Sequence, residues 1–402
     1  LIREMIRNVY KECKGVPKDN CLTKEQRLSL QMDEFMNRRY EFRYNTQIGE
    51  VEYRERFSFQ FYFHPIDKRA QNSIMLDAQS EGIGVWDRDI DRYLHSNRVP
   101  IYNPLEEFLF HLPHWDGKDR IHALANRVPC NNPHWELLFH RWFLNMVSHW
   151  RGVDKMHANS TSPILVGAQG THKSTFCREM IPPALRAYYT DSIDFSQKRD
   201  AELYLNRFAL INIDEFDQIT LTQQGFLKHI LQKPVVNLRK PHGRSVLELQ
   251  RYASFIGTSN QKDLLTDPSG SRRFICIEVT GNIDTTQPID YEQLYAQAMH
   301  EIYHGERYWF DSEDEQIMTE NNREFEQTPA MLQLFYQYFK AAQTKEEGEF
   351  LTPVEILNYL KKKSGISLSD NKVYHFGRLL QKCGITSKHT YKGTVYQVIK
   401  VS

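Results

Sequence analysis

Four short apolar runs, separated by helix-like segments, dominate the middle of the chain. The runs are "SPILV", "FALINI", "YASFIG" and "RRFICIEV". Short apolar runs that end in polar residues are typical of strands buried on both faces. Their alternation with helical stretches is typical of a parallel sheet that helices cover. The pattern therefore predicts an α/β domain with a parallel-sheet core over residues 113–320.

The pattern differs on either side of this domain. Residues 1–112 predict a mixed, mainly helical region that includes one hairpin, with its turn at residues 47–49. In residues 329–402 the pattern predicts a helix capped by Thr352, a second helix, and two strands around a turn at residues 392–393. Helix, helix and hairpin in this order predict a winged-helix module.

Charge is uneven along the chain although the total is neutral. The 51 basic and 51 acidic residues argue against a uniformly basic nucleic-acid binder. Residues 351–402, however, hold nine lysines and arginines against two acids. This basic tail is predicted either to bind duplex DNA or to dock a protein.

The N-terminus and the lengths of the apolar runs indicate the cellular compartment of the protein. No apolar run approaches the roughly 20 residues needed to cross a bilayer, and the N-terminus is too charged for a signal peptide. We therefore predict a cytoplasmic protein without a membrane partner. The chain begins with Leu1 rather than methionine, so residues are expected to be missing upstream.

The first apolar run leads into "GAQGTHKST", residues 167–175, which nearly matches the phosphate-binding pattern G-x-x-x-x-G-K-[ST]. Such a loop points backbone N–H groups at phosphate oxygens, beside a helix N-terminus. Lys173 is predicted to reach the β and γ phosphates of ATP, and the Ser174 hydroxyl to complete a Mg²⁺ shell. The predicted nucleotide-binding residues are Gly167, Gly170, Thr171, His172, Lys173, Ser174 and Thr175.

His172 stands where the strict pattern has glycine. We expect it beside the helix start with a negative φ that an ordinary residue tolerates, while Gly167 and Gly170 occupy the demanding turn positions. For the loop considered alone, the alternative is a capped helix that carries a lysine by chance.

Polar residues end the next two apolar runs. Asp214 is predicted to bind the metal, Glu215 to polarise the attacking water, and Asn260 to position the same water. Arg272 and Arg273, just before the fourth run, are predicted to complete a neighbouring subunit's site as an arginine finger. The alternative for the two acids is that strand ends are often acidic without a chemical role. The alternative for the two arginines is a surface salt bridge.

A basic turn lies between the acids and Asn260. Two β-prone runs flank residues 240–243, which predicts a hairpin with a basic tip. A solvated turn is the alternative interpretation. The cations of the tip are Arg239, Lys240, His242 and Arg244.

The order of these elements resembles the virulence-associated E (VirE) family of P-loop proteins, which is related to superfamily 3 helicases of the AAA+ class. The resemblance rests on "LVGAQGTHKST", "LINIDEFD", "LRKPHGR", "FIGTSN" and "SGSRRF", with "WDGKDRI" upstream. It implies an AAA+ P-loop core and an ATP-dependent DNA helicase or translocase for replication of a phage or mobile genetic element. It also implies a homo-hexameric ring in which Lys240 and His242 grip single-stranded DNA in the channel, and a primase-like domain upstream.

Two other functions fit the same residues. A nucleotide-switched initiator or regulator would bind DNA without unwinding it, and His172 and the basic tail favour this alternative. A P-loop NTPase in host defence is the second alternative.

Overall fold

The computed structural model describes residues 22–59, 61–152, 156–238, 247–265, 268–327, 330–342, 348–365, 373–391 and 393–401. The chain divides into two compact units. The first comprises Leu1–Gln261 and Ser269–Asn322, and the second comprises Lys262–Pro268 and Arg323–Ser402.

The first unit opens with a small sheet and four helices. The predicted hairpin is confirmed, because β1 and β2 pair antiparallel on either side of the turn. Strands β3 and β4 extend this sheet in the order β3-β2-β1-β4, and neither was predicted. The elements are α1 (Lys24–Arg39), β1 (Tyr40–Asn45), β2 (Glu50–Glu55), β3 (His64–Pro65), α2 (Lys68–Ser80), α3 (Asp87–Leu94), β4 (Ile101–Tyr102) and α4 (Pro104–Phe110).

The rest of the first unit alternates helices and strands, as the hydrophobic pattern predicts. Its helices are α5 (Arg120–Ala125), α6 (Trp135–Trp150), α7 (Lys173–Glu179), α8 (Lys198–Arg207), α9 (Leu221–Leu231), α10 (Tyr291–Tyr303) and α11 (Ser312–Asn321). Its strands are β5 (Ser162–Val166), β6 (Tyr189–Thr190), β7 (Leu210–Ile213), β8 (Val235–Leu238), β9 (Leu247–Gln250), β10 (Ser254–Ser259) and β11 (Phe274–Glu278).

Five of these strands form a parallel sheet in the order β11-β5-β10-β7-β6. Four of them are the predicted apolar runs, and every residue of β5, β7 and β10 is buried. Aromatic side chains of α6, α7 and α10 pack in one core with strand residues such as Leu165 and Ile256. The prediction of a mixed α/β fold with a parallel sheet is confirmed.

Strands β8 and β9 form a separate two-stranded sheet. They pair antiparallel from Val235 opposite Gln250 to Leu238 opposite Leu247, so the strands of the predicted hairpin are present. The tip cations lie outside the described residues. These cations are Arg239, Lys240, His242 and Arg244.

The second unit has the predicted order of helix, helix and hairpin. Thr352 caps a helix, as predicted, because its hydroxyl accepts a hydrogen bond from the Glu355 N–H. Pro353 occupies the first turn of this helix. Strand β15 pairs with β12, β13 and β14, of which β12 and β13 were not predicted, and Lys392 of the predicted turn lies outside the described residues. The elements are α12 (Ala330–Tyr338), β12 (Phe339–Ala341), β13 (Glu349–Leu351), α13 (Pro353–Ser364), α14 (Val373–Lys382), β14 (Ser387–Thr390) and β15 (Gly393–Lys400).

In the part of the chain that the structure describes, every helix is too short or too polar to cross a membrane.

Candidate active site

The candidate site lies where three neighbouring parallel strands end. Strand β10 pairs with β5 on one side and with β7 on the other. Because the carboxyl ends of parallel strands meet at one edge of a sheet, the loop after β5, the acids after β7 and the end of β10 converge there. They enclose a cavity of about 330 Å³. Its lining is Gln169, Gly170, Thr171, His172, Lys173, Ser174, Thr175, Asp214, Glu215, Thr258 and Asn260.

Lys173 lies at the centre of this arrangement. Its side chain is buried, and the Nζ donates hydrogen bonds of 2.8 Å to the carbonyl oxygens of Gly167 and Ala168. A further bond of 3.2 Å runs from the same Nζ to Oδ1 of Asn260. Burial lowers the pKa of Lys173, and the nearby charge of Asp214 opposes this shift. The lysine thus connects the loop to the end of β10.

The backbone of His172 contradicts the sequence-based expectation of a negative φ. His172 has φ 65° and ψ 21° and lies in the left-handed region, immediately before α7. The expectation was wrong because it placed His172 with the helix, whereas the chain reverses at this residue before the helix begins. For a residue with a Cβ, this conformation costs about 1–2 kcal/mol.

The two loop glycines meet different requirements. Gly170 has φ 84°, another left-handed value. At Gly167 there is no room for a side chain, since an added Cβ would lie 2.9 Å from the Val279 carbonyl oxygen. Successive turns with positive φ point backbone N–H groups into a concave surface, which favours an anion.

Asp214 is the point at which hydroxyl groups from two other segments meet. Ser174 Oγ donates to Asp214 Oδ1 over 3.0 Å, and the buried Thr258 donates from its Oγ1 to the same oxygen. Sequence analysis missed Thr258. The available signal was its position in "FIGTSN", two residues before Asn260 on an extended strand, where alternate side chains share a side.

Glu215 follows Asp214 in an unusual backbone conformation. It has φ 53° and ψ 52°, so it is a second non-glycine residue in the left-handed region. The next residue, Phe216, is fully buried, and the Asp217 carboxylate accepts a hydrogen bond of 2.8 Å from the Ser259 hydroxyl. These contacts hold the turn against β10. Strained backbone that neighbouring contacts maintain is typical of functional sites.

The predicted arginine pair lies away from the cavity lining. Arg272 Nη1 donates to Glu315 Oε2 over 2.8 Å, and the two side chains are 46% and 38% exposed. Arg273 is half-buried directly before β11. Within this chain, the structure therefore brings together the loop, both acids and Asn260, but not the arginines.

The segment that matches a protein-family model contains every residue that lines the cavity. Residues 109–327 match the model of the virulence-associated protein E-like domain. The chain belongs to this family. The matched segment also contains β8, β9 and the arginine pair of this virulence-associated protein E-like chain. Residues 328–398 match a second model, a domain of unknown function from B. Theta (DUF3874).

Solved structures are similar to this chain at low sequence identity. An apo structure of the NrS-1 C-terminal region is similar over 92% of this chain and 98% of that chain, with 12% identity and a TM-score of 0.46. The A form apo structure of the same region covers 92% and 99%, with 12% identity and a TM-score of 0.44. No curated protein sequence matches the chain. The family assignment rests on the match to the family model.

Proposed function

We propose that this chain is an ATP-dependent DNA helicase or translocase with an AAA+ P-loop core related to superfamily 3 helicases. We further propose that it serves replication of a phage or mobile genetic element. The observation that carries the proposal is the cavity in which Lys173, the Asp214 oxygen with its two hydroxyl donors, and Asn260 meet. Membership in the virulence-associated protein E-like family supports the role in replication.

The residues at the cavity fit ATP and Mg²⁺. The loop keeps glycine where a Cβ has no room and where φ is positive, and it ends in a buried lysine at the start of α7. Carboxylate and hydroxyl oxygens are the ligands that Mg²⁺ takes in nucleotide sites, and Asp214 and Ser174 supply them at the cavity wall. When bound there, Mg²⁺ would neutralise charge on the phosphates.

The remaining side chains have separate tasks in hydrolysis. The Lys173 ammonium stabilises negative charge on the transferred phosphoryl group. The exposed Glu215 carboxylate lines the cavity, where it orients the attacking water and receives its proton. Asn260 hydrogen-bonds Lys173 and reports the phosphate state to β10.

The DNA contacts are assigned to the hairpin and the tail. Strands β8 and β9 support the tip from which Lys240 and His242, flanked by Arg239 and Arg244, contact phosphates of single-stranded DNA. Contacts of this type are independent of sequence and sensitive to salt, as a translocating protein requires. The second unit, with its helices and hairpin, is proposed as a winged-helix module that binds duplex DNA or docks a protein.

A homo-hexamer would give the arginine pair a function in trans. The Arg272–Glu315 ion pair is roughly half exposed, and pairs of this kind contribute only about 0.2–1 kcal/mol. A phosphate on a neighbouring subunit can therefore compete for Arg272. Arg273 lies next in the chain and is the other candidate finger.

Strand displacement on a forked DNA substrate tests this function. The proposal predicts ATP hydrolysis that single-stranded DNA stimulates, together with displacement that requires ATP and Mg²⁺. The second candidate function is a nucleotide-switched DNA-binding initiator or regulator, which the left-handed His172 in the loop favours. In that case DNA affinity would change with the bound nucleotide, turnover would be slow, and no strand would be displaced.

A further inference from the structure

Arg251 is fully buried, and among the described residues backbone carbonyl groups bind its guanidinium group. It donates five hydrogen bonds, of 2.7–3.2 Å. The carbonyl oxygens that accept them belong to Asn159, Ile230, Leu231, Lys233 and Ala253.

Within the described part of the chain, no carboxylate forms an ion pair with this arginine. Two of the acceptors, Ile230 and Leu231, are the last residues of α9, where the carbonyl end of a helix carries a partial negative charge. Burial lowers the pKa of Arg251 to about 9, so the group remains charged at neutral pH. A buried cation is costly unless hydrogen bonds compensate it, and the planar fork of arginine can serve several carbonyls at once.

The five carbonyls belong to three separate segments that meet at the base of the β8–β9 hairpin. Lys233 lies two residues before β8, and Arg251 directly follows β9. Asn206 Nδ2 donates to the Gln250 carbonyl over 2.7 Å, which fixes the end of β9 to α8. The hairpin shares no strand pairing with the five-stranded sheet in the described residues. Arg251 therefore ties both ends of the hairpin to the domain.

The same segments lead to the nucleotide cavity at the other end of the sheet. Ala253 directly precedes β10, which ends next to Asn260. Asn159 lies three residues before β5, which leads into the phosphate-binding loop, and its side chain also donates to Ser254 Oγ over 2.8 Å. Helix α9 begins just after the acidic turn that follows β7. One side chain thus joins the hairpin to the starts of β5 and β10, which lead to the cavity, and to α9, which follows the acidic turn.

We propose that Arg251 is a positioning residue that fixes the base of the DNA-binding hairpin to the nucleotide-binding strands, so that DNA stimulation of ATP turnover depends on it. This inference rests on the proposed function, because it assumes that the hairpin binds DNA and that the cavity binds ATP.

The test compares ATP turnover with and without single-stranded DNA in the full chain. Arg251→Lys keeps the charge but lacks the fork, and Arg251→Met removes the donors at similar length. Both variants should lower DNA stimulation at least about fivefold, a typical size for coupling between two sites, while turnover without DNA stays within roughly twofold. Lys233→Met is the matched control, because this cation lies at the same hairpin base but pairs with Glu202 over 2.5 Å at a partly exposed position.

Each outcome decides between the proposals. A wild-type chain that hydrolyses ATP without DNA stimulation overturns the proposed function and this inference together. Stimulation in the wild type that persists in the Arg251 variants, or a proportional loss of both rates, gives Arg251 a purely structural role and overturns the inference alone. If neither variant folds, amide exchange of the wild type decides: ATP with Mg²⁺ should slow exchange in β8 and β9, and unchanged exchange there refutes the inference.

Discussion

Replacing His172 by glycine tests the backbone geometry of the phosphate-binding loop. His172 has φ 65°, a left-handed conformation that strains residues with a Cβ. Its imidazole is exposed, and its carbonyl oxygen accepts the first hydrogen bond of α7 from the Phe176 N–H over 3.0 Å. Glycine keeps this backbone bond and removes only the side chain.

The expected gain in folding stability of the His172→Gly variant is the difference between two opposing effects. Relief of left-handed strain is worth about 1–2 kcal/mol, and histidine belongs to the lower part of this range because it tolerates the region better than most residues. Glycine also makes the unfolded chain more flexible, which costs about 0.5–1 kcal/mol. We expect His172→Gly to stabilise the first unit by about 0.5 kcal/mol, which raises its Tm by about 1–2 °C.

Urea unfolding and thermal melting without nucleotide measure this effect, and His172→Ala is the matched control. Alanine also removes the imidazole but keeps the strain, so its stability should stay within about 0.5 kcal/mol of the wild type and below that of the glycine variant. Both variants should bind ATP, and the glycine variant should change turnover only modestly. If the His172→Gly variant is no more stable than the His172→Ala variant, left-handed strain at His172 is refuted. Loss of ATP binding in the glycine variant would mean that the imidazole itself helps to hold the phosphates.

Four further substitutions test the other parts of the site. Lys173→Met should abolish ATP turnover, because the variant keeps a similar side-chain length but lacks the ammonium that stabilises the phosphoryl charge; an unchanged rate would exclude this lysine from the site. Thr258→Val should raise the Mg²⁺ concentration needed for half-maximal turnover about fivefold, because Asp214 loses one hydrogen bond, and an unchanged requirement would contradict this positioning role. Of Arg272→Ala and Arg273→Ala, one should stop ATP turnover, and only in assembled rings. Mixing wild-type subunits into the ring would show that the missing arginine acts on a neighbouring subunit. Full activity of a wild-type monomer would disprove action in trans.

Strands β5, β7 and β10 could be predicted because each is a continuous apolar run followed by polar residues that line the cavity. Strand β5 leads to the loop, β7 to Asp214 and β10 to Asn260. Since parallel strands end at one edge of a sheet, the order along the chain was enough to expect a shared cavity. Capping likewise identified the start of α13 at Thr352.

Other features depend on contacts that a linear pattern does not contain. The φ of His172 is set by the turn into α7, so its residue type alone was misleading. Thr258 gains its role only when β10 lies between β5 and β7, and this lateral order cannot be read from apolar runs. Arg251 is one more cation in the sequence until three separate segments place their carbonyl groups around it.

We propose that the cavity at the ends of β5, β7 and β10 binds a nucleoside triphosphate. Titration calorimetry with a non-hydrolysable ATP analogue and Mg²⁺ measures this binding, with Lys173→Met as the comparison. The wild type should show saturable binding that weakens when Mg²⁺ is removed, and the variant should show none. If the wild type does not bind the analogue, or the Lys173→Met variant binds it equally well, the cavity is not a nucleoside triphosphate site.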